Sequence, residues 1–385
     1  MAHRRTILFC GKHRVNFAMF EPVYQLLRRD GRVDIRLSSG RYRRKPLLGW
    51  LPPKHPDMRN EVLFAEFDVD PRHFVKTSCQ DTYPWDVYVS SNLDSKLQPP
   101  RSRASVQLFH GVSFRNFAVR ADYLRFSRIF FPGRYHLEQY LRRGLLKEGD
   151  PRIALIGMPK LDALANGAIR RDEVLESLGL DPTLPTVLWC PTGARHNSYE
   201  RLGEEGLRAI QGLGVNLIVK LHDHPHLPGN MTLEELHAQV RAALGERGRL
   251  ATRSDVTPLL AAADALVSDA SSVAYEYCIL DRPIVFVDVP ELLAERASQK
   301  DCAMDENTHG RSMGRIVKTA RELQAALEHA LEHPDEYSAE RRATAAHLFH
   351  DPGRAARRAA AALLELAGVN DSNAEQSRFQ AVGVG

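Results

Sequence analysis

Short apolar runs alternate along the chain with longer stretches whose apolar residues recur at helical spacing. The runs TILFC (6–10), 33–37, DVYVS (86–90), SVQLF (105–109) and 153–156 have the length and β-branched or aromatic content of buried strands. Between the first two, Phe17, Phe20, Tyr24 and Leu27 fall on one helical face, which predicts a helix over 17–29, and 135–145 reads as another. This alternation predicts a doubly wound α/β domain, whose ligands meet the loops at the carboxyl ends of the strands. A polar helix over 170–178 and a linker with Asp181, Pro182 and Pro185 follow, and then the pattern restarts. Strands are expected at 186–190, LIVKL (217–221), 265–267 and 284–287, with helices over 233–244 and 254–263. Leu233, Leu236, Val240 and Leu244 make one apolar face of the first of these helices. Further helices are expected over 320–332 and most of 339–367, interrupted at Pro352 and Gly353. The part after the break, rich in Ala, Arg and Leu, is expected to pack outside or cross between domains. Residues 370–385 have the composition of a disordered tail. The expected organisation is a domain over 1–165, a second over 166–345 and a C-terminal helix over 346–369.

Composition adds a division of labour. A hydrophobic content of 43% over 385 residues supports two cores. Residues 1–160 hold 29 Lys and Arg against 15 Asp and Glu, a balance of +14; the remainder holds 23 against 33, a balance of −10. A basic first half suits an anionic partner such as a membrane surface, a phosphate-rich polymer or nucleic acid. The ligand-type loops of the acidic second half argue against nucleic acid. Five cysteines without C-x-x-C spacing fit a reducing compartment. No apolar run approaches the ~20 residues of a membrane span. The opening MAHRRTILFCGKH is too short for a signal peptide, so a cytoplasmic location is expected. Residues 41–54, RYRRKPLLGWLPPK, surround Leu47, Leu48, Trp50 and Leu51 with five basic residues. They read either as a loop folded onto its own domain or as an interfacial anchor on anionic lipid.

The candidate chemistry lies at strand ends. In ALVSDASSVAYEYCILDRPIVFVD (265–288), Asp269, Ser271 and Ser272 stand between a strand and a helix. There they read as plain caps or as a phosphate loop, since helix-start N–H groups and the helix dipole attract anions. Glu276, about one turn on, is spaced for ribose hydroxyls. The loop 191–197 contains Thr192 and Arg195. His222, Asp223, His224 and His226 end another strand and read as zinc ligands or as part of a phosphate site; with no H-e-x-x-H-type spacing, no metal or cofactor is expected. His110, followed by Gly111 and Arg115, ends a strand of the first half, where an imidazole reads as a structural group or as a base for an attacking hydroxyl.

Taken in order, these motifs resemble the CDP-glycerol glycerophosphotransferases of teichoic-acid and capsule polymer synthesis, over residues 85–345. HG at His110–Gly111 is similar to that family's first-domain histidine, GMPKLDAL (157–164) to its G-x-P-K-x-D segment and CPTGAR (190–195) to its A-P-T-W-R loop. KLH (220–222) is similar to its R-P-H-P, and SDASSVAYEY (268–277) to its D-x-S-S motif. Asp223 stands where the family has proline, and CPTGAR is one residue longer. The resemblance implies a GT-B fold, two Rossmann-like domains with parallel sheets facing a central cleft. It implies transfer of glycerol phosphate from a CDP-activated donor to a glycan or polyol-phosphate acceptor. His110 would be the base, Gly111 and Arg115 would face the acceptor, and Thr192, Arg195, His222, Asp269, Ser271, Ser272 and Glu276 would hold the donor. Nucleotide-sugar glycosyltransferases and UDP-N-acetylglucosamine 2-epimerases share the GT-B plan and are the alternative.

Overall fold

Two parallel six-stranded sheets carry the chain, in a computed structural model that describes residues 4–39, 60–76, 83–92, 101–109, 111–112, 119–298 and 311–369. The first half runs β1 (Arg5–Cys10), α1 (Arg14–Leu27), β2 (Val33–Ser38), α2 (Asn60–Leu63), β3 (Trp85–Ser90), β4 (Ser102–Leu108), β5 (Arg128–Phe131), α3 (Arg134–Arg142) and β6 (Ile153–Leu155). Two short helices, α4 (Asp162–Ala165) and α5 (Arg171–Ser177), lead to the second half. That half continues with β7 (Thr186–Trp189), α6 (Ser198–Gln211), β8 (Asn216–Val219), α7 (Leu233–Ala243), β9 (Gly248–Leu250) and α8 (Thr257–Ala262). Then come β10 (Ala265–Ser268), α9 (Ser272–Tyr277), β11 (Ile284–Val287), α10 (Pro290–Ser298) and β12 (Arg315–Val317). Helices α11 (Ala320–Glu332), α12 (Ser338–Leu348) and α13 (Ala355–Ala367) close the described chain.

The strand orders are β2-β1-β3-β4-β5-β6 and β12-β11-β10-β7-β8-β9. Each order reverses once, between β1 and β3 in the first sheet and between β7 and β10 in the second. At such a reversal the loops on either side diverge and leave a crevice for a ligand. Burial follows the apolar patterning: Ile7, Leu8 and Phe9 are fully buried in β1, and every residue of β7, β8, β10 and β11 is buried. On α1, Phe17, Phe20, Tyr24 and Leu27 all turn inward, as their spacing predicts. Each such side chain contributes roughly 1.5–3 kcal/mol by leaving water.

Several elements differ from the sequence expectations. The helix expected over 254–263 is only the six residues of α8, because Val256 and Pro258 fix its start. The short strands β9 and β12 carry a glycine and exposed residues respectively, so neither offers an apolar run to read. The C-terminal stretch breaks where Pro352 and Gly353 predict it, and α13 packs on α1, β1, β3 and β4 of the first sheet. The chain therefore crosses back after building the second sheet. Asp162 fastens that return: its carboxylate accepts from the N–H groups of Gly353 (3.0 Å), Ala355 (3.0 Å) and Ala356 (2.7 Å) at the start of α13. Cys10 is buried, and Cys190 and Cys278 are buried free thiols. Residues 41–54 and 370–385 lie outside the described residues.

Candidate functional site

The loops after β7 and β10 meet at the reversal point of the second sheet. Asp269, 1% exposed, ends β10 and turns its carboxylate toward the β7 loop. It accepts from the Thr192 N–H with both oxygens (3.1 Å each), from Ser198 N–H (2.9 Å) at the start of α6 and from its neighbour Ala270 (2.6 Å). Hydrogen bonds to a charged acceptor are the stronger kind, so this carboxylate holds the two loops in register. Asp269 thus faces protein amides and shapes the loop. Arg296 of α10 clamps the same junction, donating to the Ala270 carbonyl (2.7 Å) and to Thr192 Oγ1 (3.0 Å). Sequence reading missed this arginine. The signal was its i+4 spacing from buried Leu292, which places both on the inward face of α10.

Beside this junction Ser271 caps α9, its hydroxyl accepting from Val273 N–H at a long 3.5 Å, and Ser272 opens the helix; both are half-buried. His222 follows β8, and its Nδ1 accepts from the His224 N–H at 3.0 Å. Gly193 lies flat against that imidazole: a Cβ there would stand 2.6 Å from His222 Cγ and 2.9 Å from the His224 carbonyl oxygen. Desolvation by the surrounding loops lowers the His222 pKa, with Asp223 opposing and Lys220 reinforcing the shift, which favours a neutral ring. The other polar side chains of this loop diverge. Asp223 pairs with Lys220 (2.8 Å), and His226 Nδ1 lies 2.7 Å from Glu200 Oε1. Among the described residues no group of three or more His, Cys, Asp and Glu is placed to hold a metal ion.

Glu276, the residue expected to meet a ribose, lies buried against Lys160. It is 2% exposed, its Oε1 lies 2.6 Å from Lys160 Nζ, and its Oε2 is buried without a hydrogen-bond partner among the described residues. The lysine comes from the segment that follows β6, so the pair ties the end of the first sheet to α9. One oxygen of the carboxylate is thus engaged inside the protein.

Thr192, Arg195 and His222 instead share the wall of a cavity of about 780 Å³ between the loops after β7 and β8 and helices α6 and α7. Arg195 is exposed at its edge. The loops of the first sheet approach the same end: the His13 and His224 rings are 6.5 Å apart, and Glu66, paired with Arg14 (2.7 Å), accepts from Ser254 N–H at 3.2 Å. Of the expected acceptor residues, Gly111 has no atom of the described residues within 4 Å of where a side chain would begin, while His110 and Arg115 lie outside the described residues.

Comparison with known proteins places this geometry. The solved wall teichoic acid polymerase TagF superposes with a TM-score of 0.65 at 17% identity, over 94% of this chain and 89% of that one. A structure of that polymerase soaked with CDPG matches equally well in fold, with a TM-score of 0.65. A putative UDP-N-acetylglucosamine 2-epimerase from Listeria monocytogenes superposes at 0.58 with 15% identity, over 96% of this chain and 98% of that one. These likenesses show the fold, the two-sheet GT-B plan. A curated relative, the UDP-N-acetylglucosamine--N-acetylmuramyl-(pentapeptide) pyrophosphoryl-undecaprenol N-acetylglucosamine transferase of Phocaeicola vulgatus, is 27% identical over 185 residues. That match takes in 47% of this chain and spans a little under half, 46%, of the relative's length. The family profile of CDP-Glycerol:Poly(glycerophosphate) glycerophosphotransferase matches residues 147–365, more than half of the sequence, and the chain belongs to that family.

Proposed function

We propose that the protein transfers glycerol phosphate, or a similar alditol phosphate, from a CDP-linked donor to a hydroxyl of a cell-surface glycan or polymer. One observation carries this reading beside the family membership: the Asp269 carboxylate ties Thr192 and the Ser198 start of α6 to the segment that runs on into Ser271 and Ser272, where the strand order of the second sheet reverses. Phosphate is favoured there by the positive end of a helix start and by nearby hydroxyls and imidazole. In the proposed reaction Thr192, Ser271, Ser272, His222 and Arg195 hold the donor diphosphate. Asp269, Arg296 and the Lys160–Glu276 pair keep those groups in place.

The acceptor oxygen attacks the phosphorus that bears the glycerol. A new P–O bond forms, the bond to the bridging oxygen breaks, CMP leaves, and the acceptor proton passes to His110. Fixed donors around the developing phosphate charge supply the main rate effect, with the base adding a smaller factor. The basic first half suits an anionic polymer. Residues 41–54 are proposed as its contact with an anionic inner membrane face, because Trp and Leu enter the headgroup region while Arg and Lys meet the lipid charge. A glycosyltransferase or epimerase-like reaction on a nucleotide sugar is the second reading, favoured by the likeness to the Phocaeicola vulgatus transferase.

Incubation with CDP-glycerol and a glycerol-phosphate oligomer, followed by measuring CMP release and oligomer growth, tests the reading. Lengthening that is lost in His110→Ala supports it. CMP release without oligomer growth, or full activity of the variant, counts against the transfer or against His110 respectively.

A further inference from the structure

The polar contacts at the end of β8 run on into the first half of the molecule. Lys220 is 7% exposed, and its ammonium donates to the Leu221 carbonyl (2.8 Å) and to Asp223 Oδ1 (2.8 Å). A buried ammonium needs such a partner, because its charge has left water. Burial pushes the Asp223 carboxyl up, but Lys220, the Ser254 side chain and His222 together outweigh it and leave it below the usual carboxylate range. Ser254 lies in the loop between β9 and α8, and its backbone contact leaves the second half: its N–H donates to Glu66 Oε2 at 3.2 Å, across 188 residues of chain. Glu66 in turn pairs through Oε1 with Arg14, in the first turn of α1, at 2.7 Å. The polar series Lys220, Asp223, Ser254, Glu66 and Arg14 thus joins a strand end of the second sheet to the helix after β1. His222 stands between Lys220 and Asp223, and both charges act on its ring. Asp223 occupies the place where the family has proline. A proline fixes a loop by its locked φ and carries no side-chain acceptor, whereas an aspartate holds it through partners, one of which here leads to the other half. The same junction carries a repulsion for this series to offset. Burial raises the Glu21 carboxyl on α1, Gln25 opposes, and the charges of Asp255, beside Ser254, and Asp68 add to the rise.

We propose that Asp223 is a positioning residue for the donor loop, and that the series from Lys220 to Arg14 sets the His222 turn according to the contact between the two halves. This rests on the donor reading above, in which His222 meets the diphosphate. The consequence is reciprocal coupling: loosening Glu66 in the first half weakens donor binding in the second, and bound donor tightens the contact between Ser254 and Glu66. The path from Glu66 to His222 runs through Ser254 and Asp223, so cutting it at any link has the same effect.

Hydrogen exchange at the residue-254 amide of the whole protein, with no donor added, reads the series by itself. Protection of that amide should fall about tenfold in Glu66→Ala, which removes its acceptor, and also in Asp223→Asn and Ser254→Ala, which free the loop from the end of β8. Titration with CDP-glycerol then reads the coupling. Glu66→Ala and Ser254→Ala should each weaken binding about fivefold, and the double variant no further than either alone, because both cut one series. Asp223→Asn leaves the Lys220 charge beside a neutral amide; if that variant does not fold, Ser254→Ala cuts the next link with Lys220 and Asp223 still paired. Protection unchanged in Ser254→Ala, unchanged CDP-glycerol affinity in Glu66→Ala, or losses that multiply in the double variant would overturn the proposal. If the parent does not bind CDP-glycerol while protection falls in all the variants, the donor reading fails and the coupling between the halves stands.

Discussion

Lys160 Nζ stands 2.6 Å from Glu276 Oε1, across 116 residues of chain, with side chains only 10% and 3% exposed. A buried pair of this kind is held by its geometry: either ion alone in that setting is costly, whereas replacing both with apolar groups can be close to neutral. Lys160→Met is therefore expected to destabilise the protein by roughly 3–5 kcal/mol. Adding Glu276→Leu should recover much of that loss. Chemical denaturation of the single and double variants measures both, and a Lys160→Met variant as stable as the parent would show the pair to be idle.

Gly193 is needed for close approach. Gly193→Ala places a Cβ 2.6 Å from His222 Cγ and 2.9 Å from a backbone oxygen, so the imidazole or the loop must move. The expected outcome is a loss of CDP-glycerol affinity of about tenfold or more, with little change in global stability, because the strain falls on an exposed loop at a strand end. Binding calorimetry set beside thermal melting checks it.

His136 sets a pH dependence. It is 1% exposed, neither ring nitrogen has a hydrogen-bond partner among the described residues, and its ring lies 5.6 Å from that of Phe109. Burial, aided by the charge of His347, pushes its pKa down to about 4 from an ordinary 6.5. The unfolded chain therefore takes up a proton before the folded one as pH falls. Stability should decline from about pH 6.5 down to about pH 4 and then level off, a total on the order of 3 kcal/mol from this group. His136→Phe should remove that part of the slope and add stability at neutral pH by deleting two unpaired nitrogens. An unchanged slope in the variant would contradict the assignment.

Much of the fold was legible in the sequence because a doubly wound sheet buries its strands on both faces. Runs such as TILFC and IVFV then stand out from the helical spacing around them. The loops were legible as strand ends, but the partners of their charges were not. Glu276 has a ribose-like spacing from Ser271 in sequence, yet its partner is a lysine from the other half, a contact set by how the two sheets pack. Asp269 and Ser271 look alike as helix-start residues; in the structure one is turned to the β7 loop and the other caps α9. His222, His224 and His226 sit close in sequence, but their strand-end turn sends His222 to Gly193 and His226 to Glu200.

A CDP-linked donor is proposed to sit at the β7–β10 junction. Calorimetric titration of the protein with CDP-glycerol, CMP, UDP-N-acetylglucosamine and UDP-glucose, repeated on the Ser271→Ala, Ser272→Ala double variant, tests it most directly. The expected result is selective binding of the cytidine ligands, weakened in the double variant by about tenfold or more as two phosphate contacts are lost. A preference for either UDP-sugar, or cytidine-ligand affinity untouched by the double change, would contradict it.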